Sequence, residues 1–497
     1  MMNRLLPLFA ALALLAATLP ASAARRKAPP AAAEPAAELP AAEVPVSADA
    51  DLVPDPVEEP ATAAEPASTL PPWIRPVADV RLRLEAFDAI PLRTGAYSRG
   101  GENTYFRFRS RLGFLLGPDS PLSLNVRLLH EFRAVMRPVH SHSWRWPDEL
   151  VLDALALSWH TRDGNLALTA GRQDLAIPSS LHYLGDGTPT DGSRSSYMNA
   201  VAATLQTPSR RTRLDAFAAY DPDEDPLAIG HLHRDLDGYT PNDTGMDEAG
   251  AGAFLRQLLS SVSPATTNPV SLTALYLWKH DSHWRAPAKP DVPDTRRPSE
   301  DIHTAGLLLA VPLDDTLTAS AEVARQFSPS SDADRRAWLA ETALARTFPA
   351  LPGAALALRL LYLSGDDPST ARAESWNPLW ARYPWFSELI LYGYDADPAP
   401  WQNLLAPTLE ARLPGLAARH ALRATLSYLH APEADTVTDS HDRGWLATAR
   451  YEFPVLPTFA RDTLRAHVQV EALTPGDYYP GPHNPAYFLR LELVWAL

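Results

Sequence analysis

The chain has 497 residues, with 59 acidic against 44 basic side chains and a formal net charge of −15. This acidic balance argues against a nucleic acid as partner. There is no cysteine, which excludes a disulfide framework and a lipid-anchoring thiol.

The first 23 residues have the pattern of an export signal. Asn3-Arg4 precede an apolar stretch from Leu5 to Leu19, and Ala21-Ser22-Ala23 are small residues of the kind a signal peptidase accepts. After this signal peptide, residues 1–23, no apolar run reaches the roughly 20 residues that a spanning helix needs. We therefore expect an exported protein that is periplasmic, secreted or a membrane β-barrel.

Residues 24–72 consist almost entirely of alanine, proline and acids, with eleven prolines. Such a stretch cannot bury enough apolar surface to offset the entropy of ordering it. We interpret it as a disordered periplasmic tether. The remaining residues, 73–497, show no second linker, which favours one large domain.

Strict alternation between Tyr105 and Phe114 indicates the environment on each side of the sheet. Phe106, Phe108, Leu112 and Phe114 fall on one face, and three arginines fall on the other. Successive side chains of a strand point to opposite faces. This pattern is typical of a membrane barrel around a wet lumen.

Segments of this kind predict an all-β fold, a transmembrane antiparallel β-barrel of the outer-membrane type with 18 strands. The predicted strands span residues 78–87, 104–115, 122–133, 150–159, 165–174, 198–206, 212–220, 251–262, 269–280, 302–312, 316–327, 337–347, 354–363, 406–413, 421–430, 444–453, 460–471 and 486–497. Connections after even strands are short, and those after odd strands are longer.

An even strand number, short periplasmic turns and long outer loops are the features of bacterial outer-membrane barrels. The final strand supports this location, because Leu491, Leu493 and Trp495 share a face opposite Arg490 and Glu492. A soluble sandwich or propeller is the rival fold. We find no internal repeat of the kind that propellers have.

If the apolar faces contact lipid, the opposite faces line the lumen. Strands of clear alternation place fourteen arginines and eight acids inward, whereas the strands near residues 150, 251 and 337 are ambiguous. The excess of arginine favours anion passage. The alternative is that arginine and glutamate pairs only fill and stiffen the barrel. The predicted substrate-guiding residues are Arg81, Arg83, Arg107, Arg109, Arg111, Arg127, Arg133, Arg172, Arg194, Arg465 and Arg490, with the lumen acids Glu131, Glu322 and Glu492.

Motifs for metal binding or catalysis are weak. The pairs His140/His142 and His231/His233 lack a third ligand in the sequence, and the acidic run 221–225 lacks the glycine and closing acid of a calcium loop. No nucleophile motif is present. We therefore expect no metal, no cofactor and no enzymatic activity. Calcium or divalent-bridged lipopolysaccharide at the acidic run, and an outer-membrane hydrolase, stay alternatives.

Several segments resemble the alginate export family of outer-membrane porins. They are Gly171-Arg172-Gln173, the segment from Arg194 to Val201 that contains Tyr197-Met-Asn199, the segment from Ala321 to Phe327, Ser364-Gly365-Asp366, the segment from Trp376 to Trp380, Asn403-Leu404, Gly444-Trp445 with Tyr451, and Thr474-Pro475-Gly476-Asp477. The resemblance implies an eighteen-stranded alginate export domain with an electropositive channel for a polyuronate chain.

The first hypothesis is therefore a passive outer-membrane channel for an anionic polysaccharide, alginate or a similar polymer. Its partners would be that polymer, outer-membrane lipid and lipopolysaccharide, and periplasmic export proteins. Connections 175–197, 221–250 and 364–405 would gate the outer mouth. The second hypothesis is an uptake porin for organic acids or oligosaccharides. The third is an outer-membrane enzyme or adhesin that acts through its long loops.

Overall fold

The structure of the protein is a computed structural model. It describes residues 70–89, 103–137, 147–175, 177, 182–184, 197–222, 225–231, 247–282, 299–328, 334–381, 387–389, 402–417, 419–459, 462–479 and 483–497. The predicted signal peptide, and the predicted tether apart from its last three residues, lie outside these described residues.

Nineteen β-strands make up the regular structure of the described residues. They are β1 (Ile74–Asp88), β2 (Asn103–Leu116), β3 (Leu122–Arg137), β4 (Pro147–His160), β5 (Leu166–Gln173), β6 (Met198–Gln206), β7 (Thr212–Asp221), β8 (Ala228–His231), β9 (Glu248–Leu259), β10 (Val270–Asp281), β11 (Glu300–Pro312), β12 (Leu317–Phe327), β13 (Arg336–Thr347), β14 (Ala355–Leu363), β15 (Leu404–Pro414), β16 (Ala421–His430), β17 (Asp442–Phe459), β18 (Asp462–Pro475) and β19 (Ala486–Ala496). Within the described ranges, no helix has both the length and the apolar character needed to cross a membrane.

Eighteen of these strands form one closed antiparallel barrel. Each pairs with its neighbours in the chain, β7 pairs directly with β9, and β1 closes the ring by pairing with both β2 and β19. The short β8 instead pairs with the start of β4. The predicted eighteen-stranded outer-membrane barrel is confirmed, and each predicted strand overlaps one of the barrel strands.

The two ends of the barrel differ in the length of their connections. Short turns such as 117–121, 161–165 and 313–316 lie at the end where β1 begins and β19 finishes. The long connections, including 364–403, lie at the opposite end. This is the arrangement expected when both ends of the barrel domain are periplasmic.

Exposure alternates along the strands as the sequence predicts. On β2, Phe106 and Leu112 are 40% and 61% exposed, whereas Arg107 and Arg111 are 2% and 8% exposed. Apolar side chains of the other strands, such as Leu82 and Leu358, are likewise exposed on the outside. A barrel with an apolar outside and charged residues inside suits a lipid bilayer.

The ambiguous alternation of two strands, β4 and β13, has a local structural cause in each. On β4 the register with β3 shifts between Arg127 and Leu128, so that Asp153 is an extra residue and both Asp153 and Ala154 are buried. A bulge of this kind interrupts the period of two. On β13, inward Ala337 and Leu339 are apolar because they belong to a hydrophobic core inside the barrel.

An arginine at Leu358, which is exposed in the middle of β14, should destabilise the barrel. For Leu358→Arg we expect a loss of about 2–4 kcal/mol in the free energy of folding into lipid, because the charge would face hydrocarbon. Urea titration of the protein in vesicles measures this loss. The matched control is Leu413→Arg near the short-turn end of β15, where about 0–1 kcal/mol is expected. Equal costs at both positions would contradict the assignment of the lipid face.

Candidate functional site: the lumen

Six buried arginines on β1, β2 and β3 form one charged wall of the lumen, which we call the arginine wall. They are Arg81, Arg83, Arg107, Arg109, Arg111 and Arg127, together with the buried carboxylates Asp79, Glu85 and Glu131. The strand register places Arg81 opposite Arg109, and Arg83 opposite Arg107. Like charges directly across a strand pair are destabilising, so the resident carboxylates are needed to hold the wall together.

Two of these carboxylates are each shared by two arginines. Glu131 accepts hydrogen bonds from Arg81 at 3.3 Å and from Arg107 at 3.2 Å. Asp79 accepts hydrogen bonds from Arg109 at 3.1 Å and from Arg111 at 2.5 Å. Each of these two carboxylates therefore serves two arginines of the wall.

The wall continues onto β19. Arg83 pairs with Glu492, and Arg490 donates from Nε to Glu85 at 2.7 Å. His467 of β18 lies 3.5 Å from Glu492. Arg490 and Glu492, both predicted from the alternation of the last strand, thus lie in the same network as the β1 residues.

Two predicted substrate-guiding arginines hold long connections in place. Arg127 donates to Asp153 and, at 2.9 Å, to Asp174 just after β5. Arg172 donates through both terminal nitrogens to Asp225, which precedes β8, and stacks on the ring of Tyr197. Their predicted role in guiding substrate stays a prediction.

Of the remaining predicted residues, three lie at separate places in the barrel. Arg133 is half-buried beside Tyr105, and Arg465 is exposed near the short-turn end of β18. Glu322 faces inward from β12. Arg194, His140, His142 and His233 lie outside the described residues. Asp221 of the acidic run accepts a hydrogen bond from Asn199.

The excess of inward arginine is smaller than the sequence count indicates. That count omitted Asp79, Asp153 and Glu341, which are buried inside the barrel. Among the described residues, twelve arginine and lysine side chains and fourteen carboxylates are buried. The described buried side chains therefore hold no excess of positive charge, although arginine is concentrated in the arginine wall.

Parts of two long connections fold into the barrel. Tyr183 and Trp376 are 0% and 1% exposed and pack in a hydrophobic core with inward strand residues. The two connections meet where the backbone nitrogen of Trp380 donates to the carbonyl of Tyr183 at 2.9 Å. The sequence marks 175–197 and 364–405 as gating loops, but it does not reveal that they share this core.

Glycines of β9 make room for the inserted connection. A Cβ atom on Gly250 would lie 2.3 Å from the Trp380 ring, and one on Gly252 would lie 2.2 Å from Leu277. Any larger side chain at Gly250 would displace the indole. This accounts for the run of glycine and alanine that made β9 ambiguous in the sequence.

The second inserted connection also reaches the opposite wall, where residues 387–389 form what we call the latch. Ser387 donates to Glu471 of β18 at 2.5 Å, and the backbone nitrogens of Glu388 and Leu389 donate to the same carboxylate. Glu388 itself contacts Arg490. Since β9 and β18 are nine strands apart in the ring, residues of one connection contact opposite sides of the lumen.

Solved structures with the same fold are porins of Pseudomonas aeruginosa. OpdK with vanillate matches with a TM-score of 0.51 and 11% identity, over 85% of this chain and 98% of that chain. OccK2 (OpdF) in complex with glucuronate matches with a TM-score of 0.50 and 14% identity, over the same shares of the two chains. No protein-family model and no curated protein matches the chain. The chain is an outer-membrane porin-type barrel.

The predicted location in the bacterial outer membrane is confirmed by this fold. The predicted membership of the alginate export family is wrong, because the matching structures are Pseudomonas porins of the Occ/Opd type and nothing supports an alginate exporter. Gly171-Arg172-Gln173, one of the segments that carried the resemblance, has a structural role in this barrel, since Arg172 holds Asp225 and Gln173 donates to Ala200.

Removing the carboxylate of the latch should widen the channel. Glu388→Ala eliminates the contact with Arg490, so residues 387–389 should leave the wall more often. We expect a larger single-channel conductance in planar bilayers. Asp477→Ala is the matched control, because Asp477 is 78% exposed and its ion pair is with His483. A conductance of Glu388→Ala equal to that of the control would contradict the latch.

The latch should also loosen as pH rises. Burial raises the pKa of Glu388 to about 8 against the opposing effect of Arg490, and the neighbouring Glu85 and Glu471 add to the rise. A raised carboxyl pKa means that the latched state favours protonated Glu388. Protonation therefore stabilises the latched state fully below about pH 4.5, and this stabilisation is lost as the pH rises to about 8. We expect mean conductance to increase across this window. Glu388→Gln should remain latched and show no such increase; a pH dependence retained in this variant would assign the titration elsewhere.

Proposed function

We propose that the chain is a substrate-selective porin through which small carboxylate-bearing molecules, such as sugar acids or aromatic acids, enter across the outer membrane. The arginine wall is the observation that carries this proposal. Six buried arginines lie there on three neighbouring strands, and Asp79 and Glu131 are each shared by two of them, in a lumen narrowed by two inserted connections.

The chemistry of the wall supports a carboxylate substrate. A guanidinium group presents a planar fork that binds a carboxylate with two hydrogen bonds. The resident carboxylates Asp79 and Glu131 already occupy such positions between pairs of arginines. A carboxylate in transit can exchange between successive arginines along the wall, each step replacing one charge-assisted hydrogen bond by another.

The inserted connections support a small substrate. The connection between β14 and β15 contacts β9 at Trp380 and β18 at Ser387, on opposite sides of the ring. Its described residues therefore take up space at both of these walls. A lumen narrowed in this way favours molecules the size of a monosaccharide over an extended polymer.

The similar porins support the same substrate class. The structures of OccK2 with glucuronate and of OpdK with vanillate each contain a ligand that carries one carboxylate. These ligands belong to those proteins, and at 11–14% identity the likeness shows the fold alone. The arginine wall is the feature of this chain that provides a matching chemistry.

Arg111→Gln should weaken anion selectivity without unfolding the barrel. Asp79 is shared by Arg109 and Arg111, so removal of one arginine leaves this buried carboxylate paired. A buried carboxylate that lost its only partner would cost about 3–5 kcal/mol. We expect a several-fold decrease in glucuronate flux into proteoliposomes and a lower ratio of anion to cation permeability in bilayers.

Two controls make this test specific. Arg336→Gln removes a half-exposed arginine at the long-connection end, outside the arginine wall, and should leave both measurements unchanged. Flux of a neutral sugar of similar size should be unaffected in Arg111→Gln. An equal decrease in the flux of the neutral sugar would contradict a carboxylate-selective channel. A preference of the wild-type protein for cations over anions would contradict it as well.

A further inference from the structure

Two glutamates on neighbouring strands face each other inside the lumen. Glu322 of β12 and Glu341 of β13 are directly opposite in the register. Like charges in this position are destabilising, and partial burial increases the cost. Arg359 donates to Glu341 at 2.5 Å but also lies 3.6 Å from Glu410, so it serves two carboxylates. No described arginine or lysine forms an ion pair with Glu322.

The inserted connection places an imidazole at this pair of glutamates. Nε2 of His182 lies 2.9 Å from Oε2 of Glu341 and 3.7 Å from Oε2 of Glu322. One ligand atom from each residue falls within 4.8 Å of the others. Around a tetrahedral ion with bonds of about 2.1 Å, ligand atoms are separated by about 3.4 Å. The two distances from His182 lie on either side of that value.

We propose that His182, Glu322 and Glu341 bind a divalent first-row transition ion, such as zinc, inside the lumen. One imidazole and two carboxylates are ligands that zinc accepts, and a fourth position remains for water. Calcium and magnesium prefer oxygen ligands alone, so the imidazole disfavours them.

The outer contacts of the two glutamates fit this assignment. The hydroxyl of Tyr183 donates to Oε1 of Glu322, and Arg359 donates to Oε1 of Glu341. In each case the hydrogen bond engages the oxygen that does not face His182. Contacts of this kind orient carboxylate ligands and raise metal affinity.

The ion would fasten the connection between β5 and β6 to the β12–β13 wall. This connection contacts the two strands through His182 and Tyr183. The backbone carbonyl of Tyr183 also accepts a hydrogen bond from the second inserted connection. Metal binding would therefore stabilise the narrowed lumen. This inference is independent of which solute the channel carries.

Zinc binding to the full-length protein tests the proposal. The folded barrel is stripped with EDTA in detergent and titrated with zinc by calorimetry, and bound metal is counted by mass spectrometry. We expect one zinc per chain, and at least a tenfold loss of affinity in both His182→Ala and Glu322→Gln. Zinc should also raise the thermal midpoint of wild type but not of these variants.

Matched variants distinguish zinc bound at this cluster from zinc bound elsewhere on the barrel. His303→Ala, a histidine whose contacts are Tyr276 and Phe327, should bind zinc as wild type does. Heat-modifiable electrophoretic mobility verifies that each variant retains a barrel. The proposal is overturned if wild type binds no stoichiometric zinc, in which case a proton on His182 balances the glutamates. It is also overturned if both site variants bind zinc normally, which would place the ion at other residues.

Discussion

The barrel depends on the pairing of charges that face its lumen. Arginines such as Arg83 and Arg490 are almost fully buried, and a buried charge is tolerated only with a partner and further hydrogen bonds. The carboxylates that pair with them, such as Glu492 for Arg83 and Glu85 for Arg490, come from other strands. The Glu388 carboxyl group of an inserted connection also accepts a hydrogen bond from Arg490. These contacts therefore fix strand positions around the ring as well as the position of a connection.

Charge pairing and apolar packing both act inside the lumen. The arginine wall lies on β1 to β3, whereas the hydrophobic core with Tyr183 and Trp376 has members on most strands of the ring, such as Phe254 of β9 and Phe488 of β19. The latch joins the two, because its connection packs through Trp380 on one side and reaches Arg490 on the other. In the proposed function, a solute would therefore pass beside the arginine wall and the inserted connection that the latch holds.

Alternation in the sequence predicts the barrel well because lipid and lumen impose a period of two on each strand. Phe106 is exposed on the lipid side and Arg107 is buried on the lumen side, as their alternation in the sequence predicts. The period fails where local geometry changes, as at the bulge of Asp153, or where glycines of β9 accept Trp380. The partners of the inserted connections could not be predicted, because Glu388 and Arg490 are 102 residues apart and no pattern joins them.

The mistaken family resemblance has a physical cause in the same residues. Gly171 has a φ of +118°, and a Cβ atom there would lie 2.2 Å from the carbonyl oxygen of Leu155. Arg172 anchors Asp225, and Gln173 donates to the carbonyl of Ala200 at 2.9 Å. This glycine-arginine-glutamine segment closes a strand and holds a connection, which are tasks that any large porin barrel must perform. Such motifs indicate the architecture, whereas the proposed carboxylate selectivity rests on side chains such as Arg111 that only the assembled lumen brings together.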